Sequence, residues 1–295
     1  MTNTMEAERG EAASEALSEH RKVSGLKWYY VFSGANAVFM TCTFGGALFA
    51  LYLSALGLAP PRIGLLFSFF PFMQTVALVA TPAVERLGYR RAFLWFYGTR
   101  KLTVMLVALA PWVHALGGPR GAFGFVAGCV IVFGLQRSLG ETALYPWMQE
   151  FIPNRVRGRA QGLAGITGTV ASAGGLVLAG YVIDRAGGWG LGRYGAFQLA
   201  YVAFACVGLV GVGASSLIPG GKATVSRAQE KHFAARLGTS VRDGRFLRFL
   251  VGAGILQGSM ALFGAFMPLY MARVVGLPTG GVVRLSIAQM AGGVS

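Results

Sequence analysis

The sequence predicts an all-α integral membrane protein, a multi-span bundle of long helices, and three observations carry that prediction. Of its 295 residues 54% are apolar and only 13% charged, where soluble domains average about 45–50% and about 25%. The apolar residues gather in runs at least as long as the roughly 20 residues a helix needs to cross about 30 Å of hydrocarbon. Those runs are apolar all round rather than alternating, which excludes barrel strands. Helices are then the remaining way to satisfy a backbone in lipid.

Residues 1–27 are polar and hold five of the eleven acids (Glu6, Glu8, Glu11, Glu15, Glu19). They lack a short apolar core followed by a cleavage site, so the segment reads as a cytoplasmic tail and not a signal peptide. Seven spans follow, at about 28–57, 63–84, 93–116, 122–148, 160–183, 196–218 and 248–273. The expected organisation is an N-terminal six-helix bundle over 28–218, a central cytoplasmic loop over 219–247 with a surface helix around 224–237, and the start of a second helical half over 248–295. An eighth apolar segment begins near residue 285 and stops at Ser295, too short to cross. The expectation is a chain incomplete after that start, or a segment lying on the surface.

Orientation follows from the basic residues between spans. With the N-terminus inside, the inner connections hold four before residue 28, three at 86–91, three at 155–159 and seven at 222–248. The outer ones hold six: Arg62, Arg120, Arg185, Arg193, Arg273 and Arg284. This bias accounts for a net charge of +15 without a nucleic-acid partner, which would need the charge gathered on one soluble face. Cys42, Cys129 and Cys206 are isolated within apolar runs, so neither zinc nor redox motifs are expected. No metal and no cofactor is expected. His114, near the outer end of the third span, reads as interfacial.

Two connections carry motifs. Between spans 2 and 3 the chain reads ERLGYRR, residues 85–91, an acid and three arginines around a glycine turn. After span 4 it reads PWMQEFIPNRVRGRAQG, residues 146–162. The first resembles the G-x-x-x-D-R-x-G-R-R signature of the major facilitator superfamily, with Glu85, Arg86, Gly88 and Arg90 at matching positions. Thr81 stands at the expected glycine and Tyr89 at a base. The second is similar to the family's W-x-x-(D/E) followed by P-x-x-x-R-G-R, through Trp147, Glu150, Pro153, Arg157, Gly158 and Arg159. A weaker echo is the glycine-rich fifth span ending in Asp184–Arg185. The resemblance covers residues 28 to about 273. It implies a major-facilitator bundle of two six-helix halves that alternate access, with the two motifs as charge contacts of a cytoplasmic gate. VERLG (84–88) and IDRAG (183–187) also echo each other at opposite ends of spans 2 and 5, as inverted triplets would.

Ionisable groups in a membrane persist only if paired, hydrated or used. Glu141 is the one acid deep inside any expected span, with Arg137 one turn before it on the same face. The pair is either a substrate or proton site or a self-satisfied ion pair. Arg100 and Lys101 are expected one to two turns into span 3, snorkelling to the headgroups. Asn36, Gln74 and Gln257 read as interhelical amides. Because the resemblance implies that spans 1, 4 and 7 line a central cavity, Asn36 and Gln257 are its substrate-contact candidates, with Trp147 near the inner mouth.

The expected function is secondary active transport of a small solute across the bilayer, with protons as a candidate coupling partner, in a bacterial inner membrane. The alternatives are a fragment without transport activity, a membrane sensor or structural protein without transport, and a polytopic membrane enzyme. The latter would show acid or histidine clusters at the membrane surface, and none is present in the sequence.

Overall fold

The computed structural model describes residues 19–185, 188–190, 192, 194–221, 244–278, 281, 282 and 285. Among them are nine α-helices, one short 3-10 turn and no strand: α1 (Glu19–Cys42), α2 (Ala47–Ala55), α3 (Pro60–Gln74), α4 (Ala77–Leu87), α5 (Tyr89–Val107), α6 (Ala110–Phe151), α7 (Arg157–Arg185), α8 (Gly195–Ser215) and α9 (Gly244–Arg273). The expected surface helix at 224–237, the tail before residue 19 and the segment beyond Leu285 lie outside the described residues.

Four stretches are long and apolar enough to cross a membrane by length and composition: Lys22–Ala55, Ala110–Phe151, Asn154–Arg185 and Gly195–Ser215. At about 1.5 Å per residue, the 42 residues of α6 would reach about twice the thickness of a bilayer core. Gly118 resolves this, since its φ of 61° and ψ of −163° interrupt the helix ahead of Pro119. Residues 110–117 therefore complete the third span and 119–151 make the fourth.

The first three spans are each two helices in succession, which the apolar pattern does not disclose. In span 1 the chain leaves the helix at Thr43–Gly46. A Cβ on Gly45 would meet the Met40 carbonyl oxygen at 2.8 Å, so the turn requires glycine there. At the joint of α3 and α4, Thr75 and Val76 keep helical dihedrals but tighten to three-residue hydrogen bonds. The Thr75 hydroxyl donates to the Phe72 carbonyl at 2.7 Å, a local bond that competes with the helix ladder. In span 3, Pro111 has no N–H to give the Val107 carbonyl. Tyr52 Oη takes that role from α2 at 2.9 Å, and Gln198 Nε2 from α8 donates to the neighbouring Ala108 carbonyl at 2.9 Å. In lipid such substitutes are obligatory.

α1 packs along α7 and α8, α6 packs along α3 and α5, and α5 meets α8. Span 1 thus pairs with spans 5 and 6, and span 4 with spans 2 and 3. This is the pattern an inverted three-span repeat produces, and the 84–88 and 183–187 echo falls at the ends of the two spans that such a repeat exchanges.

Only part of the glycine content serves this packing. On α7 the buried residues are Ala160, Ala164, Gly168, Ser172, Gly175, Leu176, Ala179 and Gly180, one stripe at helical spacing. Gly168 faces Ala37 and Gly175 faces Val38 and Cys42 of α1, while Gly162, Gly165 and Gly174 face open space. Ser33 Oγ donates to the Ala164 carbonyl at 3.2 Å and Thr41 Oγ1 to Ser172 Oγ at 3.2 Å across the same seam. The opposite face of α7 exposes Ile166, Val170, Val177 and Leu178, as a lipid-facing surface would.

A branched side chain at Gly175 should overpack the seam, because its Cβ already lies 2.9 Å from Val38 Cγ1 and 3.0 Å from Cys42 Sγ. Gly175→Val is expected to cost ~1–3 kcal/mol, read as a lower apparent melting temperature in detergent. Gly174→Ala, one residue away, should leave it unchanged or slightly raised.

Candidate functional site

Two aromatic layers fill the bundle. One holds Phe39, Phe44, Phe49, Tyr52, Phe133 and Tyr201; the other, toward the turns at 87–89 and 151–157, holds Tyr29, Phe32, Phe93, Tyr97, Trp147 and Phe151. Charged and amide side chains lie where the layers meet. Arg100 comes eleven residues after the first residue of α5 and Glu141 ten before the last of α6. At about 1.5 Å per residue each is ~15 Å from that end of the bundle, half the depth of a bilayer core.

In the first part of the cluster, Arg137 Nε donates to Glu141 Oε1 at 2.7 Å. Gln74 Nε2, at the last residue of α3, donates to Glu141 Oε2 at 2.7 Å. Ser138 Oγ donates to the Gln74 main-chain oxygen at 3.4 Å, beside the joint of α3 and α4. The one-turn spacing read from the sequence is thus an ion pair. It is incompletely covered, since the side chains are 33% and 22% exposed.

The second part overturns the expectation for Arg100 and Lys101. α5 begins at Tyr89, four residues before the expected span, so both lie too deep to reach headgroups. Their exposures are 1% and 0%. Arg100 Nη2 donates to Asn36 Oδ1 at 2.7 Å and Lys101 Nζ donates to the same oxygen at 2.9 Å. Aromatic faces complete the shell. The Arg100 guanidinium carbon is 3.8 Å from the Tyr97 ring centre, and Lys101 Nζ is 3.4 Å from that of Phe39. Such faces attract a desolvated cation by about 2 kcal/mol. Arg100 Nε is buried without an acceptor among the described residues. Glycines admit these side chains: a Cβ on Gly208 would lie 2.9 Å from Lys101 Cδ, and one on Gly140 would enter the Tyr97 ring.

The remaining candidates divide. Asn36 belongs to the cluster, but its oxygen is taken by the two cations. Trp147 is 0% exposed, packed on Phe93 and Phe151. Gln257 lies on α9, and its side chain is outside the described residues. Among the described residues no group of three or more His, Cys, Asp or Glu could hold a metal.

The motif residues converge on a segment the sequence reading passed over, Ser216–Gly221, where the chain leaves α8. Trp147 Nε1 donates to the Pro219 carbonyl at 3.0 Å. The Gly221 N–H donates to Glu150 Oε2 at 2.8 Å. The Arg90 N–H donates to the Gly221 carbonyl at 3.1 Å, and its guanidinium to the Ser216 carbonyl. Arg157 donates back to the Gln149 carbonyl at 3.1 Å, as a cation near a helix C-terminus does. Where the motifs suggested acid-to-base contacts, Arg90, Glu150 and Arg157 instead hold main-chain groups. Gly88, φ 81°, makes the α4–α5 turn; Glu85 accepts from Tyr89 Oη at 3.5 Å. Gly158 has open space around it, and Arg159 is exposed on the first turn of α7. A cavity of about 500 Å³ lies in this turn, lined by Arg86, Arg90, Arg91 and the Gly220–Gly221 backbone.

Gly221 has φ of 76°, and a Cβ there would lie 2.6 Å from Arg90 Cβ and 2.7 Å from Arg90 N. Gly221→Ala should therefore break this joint at a cost of ~1–3 kcal/mol. The expected readout is a lower melting temperature and faster proteolysis at residues 216–221, with Gly158→Ala as an unaffected control.

A family model described as Major Facilitator Superfamily matches residues 31–295. Comparison with curated proteins and with solved structures finds no match. The matched region takes in the helical bundle from the middle of α1 onward, far more than half of the chain. An all-helical, multi-span membrane bundle with these connections is a member of a transporter family: the chain belongs to the major facilitator superfamily.

Proposed function

We propose that the protein is a secondary active transporter that moves a small solute by alternating access, with Glu141 as the proton-coupling residue. The observation that carries this is the Gln74–Glu141–Arg137 chain. A carboxylate at half depth is held from two spans at 2.7 Å each, yet remains partly open. Full burial of an ion pair costs desolvation that close geometry must repay, and this pair is left partly open, 33% and 22% exposed. A carboxylate that exchanges protons needs access, and intramembrane acids with access mark ion pathways. Gln74 and Arg137 both donate to it, so protonating Glu141 weakens both bonds and loosens α3 from α6.

In this reading residues 28–218 and the region from 248 onward rock against each other about the 219–247 connection. The N-terminus lies in the cytoplasm of a bacterial inner membrane. The bonds of Arg90, Trp147 and Glu150 with residues 216–221 tie together the cytoplasmic ends of α5, α6 and α8 within the first of these bodies.

The test uses proteoliposomes with a trapped pH-sensitive dye and additions of succinate, citrate, inorganic phosphate, choline and glucose. A transported solute should produce a dye response above that of empty liposomes. Glu141→Gln should reduce it to background while the protein still inserts and melts cooperatively. An undiminished response in that variant would remove Glu141 as the coupling residue, and no response to any solute would count against proton-coupled transport.

A further inference from the structure

The charge layer does not balance. Arg100, Lys101 and Arg137 bring three cations to half depth, and Glu141 brings one anion. Among the described residues no further acid lies at this level: Glu19 is the first residue of α1, and Glu85 lies near the end of α4. Glu150 lies at the end of α6, where it is bound to the Gly221 N–H, and Asp184 is at the far end of α7. The surplus is two positive charges. One remains even with Lys101 uncharged, because arginine keeps its proton in any protein setting.

An uncompensated charge at mid-membrane is costly, and the aromatic faces around Arg100 and Lys101 lower that cost without supplying a negative charge. Asn36 supplies one carbonyl oxygen for two cations. Arg100 Nε, in a side chain 1% exposed, has no acceptor among the described residues. Arg100 interacts electrostatically with Arg137 and Glu141, so its field extends to the part of the cluster that is open. Arg137 is the open cation, and its guanidinium is engaged through Nε by Glu141, while its side chain is one-third exposed. Guanidinium forks bind the oxygens of carboxylates and phosphates in pairs.

We propose that the solute bound at this site is a small oxyanion, a carboxylate or phosphate, received by Arg137 in competition with Glu141. Arg100 and Lys101 supply, from behind, the positive potential that makes the site anion-selective. The inference rests on the transport reading for the place of the site and adds its substrate class.

Binding tests it separately from transport. With the exposed thiol removed by Cys206→Ser, the full chain in detergent keeps two buried thiols, Cys42 and Cys129, whose reaction with a fluorogenic maleimide reports unfolding. Melting midpoints are measured with succinate, citrate and inorganic phosphate, against choline and glucose at equal ionic strength. At least one anion should raise the midpoint saturably, as a ligand of the folded state must. Arg137→Gln should weaken that anion at least tenfold. Lys101→Met, which replaces a buried cation held by an amide oxygen and a ring face by an apolar chain of similar length, should fold and bind the anion several-fold less tightly. Glu141→Gln removes the competitor and should bind it as well as or better than the parent. The inference is overturned if no anion raises the midpoint, if choline or glucose does so instead, or if Arg137→Gln binds the anion undiminished. Anion binding without any dye response in proteoliposomes would defeat the transport reading alone, and choline-driven responses without anion binding would defeat this inference alone.

Discussion

Hydrocarbon offers a backbone nothing to bond to, and the arrangement of this bundle follows from that constraint. The first three spans each lose helix hydrogen bonds part-way, at Thr43–Gly46, Thr75–Val76 and Ala108–Leu109. At the last two breaks, a side chain from another span supplies a bond: Tyr52 and Gln198 at span 3, and Ser138 at span 2. Each repair also joins two spans, so the interruptions are where helices are tied together. The uninterrupted α7 meets α1 through a different device, a seam of glycine, alanine and serine that brings the backbones close.

The same constraint applied to charge explains the layer at half depth. Cations that deep require either carboxylates or polarizable partners. The described residues place a single carboxylate there, and Arg100 and Lys101 are instead surrounded by the Tyr97, Phe39 and Phe133 rings. The aromatic layers above and below are thus more than core. They exclude water from the cations and so keep the field of the cluster strong where Arg137 meets the open space, since charges interact more strongly away from water.

The class of fold was legible because it rests on composition and run length, which hydrocarbon enforces without regard to detail. The Arg137–Glu141 pair was legible because both partners lie on one helix at one-turn spacing. Arg100 and Lys101 were misplaced because the start of α5 is set by the Gly88 turn and not by hydropathy. The sequence pattern began the span at residue 93, where the apolar run starts, four residues after the helix does. The motif arginines were assigned to a gate, and Trp147 to the inner mouth, by their resemblance to a family pattern. The partners of Trp147 and Arg90, main-chain groups of Ser216–Gly221, are about 70 to 130 positions away and carry no side-chain signal except Pro219 and the two glycines that follow. Main-chain acceptors are invisible to any reading of residue types.

That joint has a mechanical corollary. Four hydrogen bonds, one donated by Trp147, two by Arg90 and one accepted by Glu150, load the same six-residue strap in parallel. Drawing α8 away from α5 and α6 at this end cannot strain one of them without straining the rest. The strap should therefore yield as a unit, giving the separation of these helix ends a threshold instead of a gradual slope.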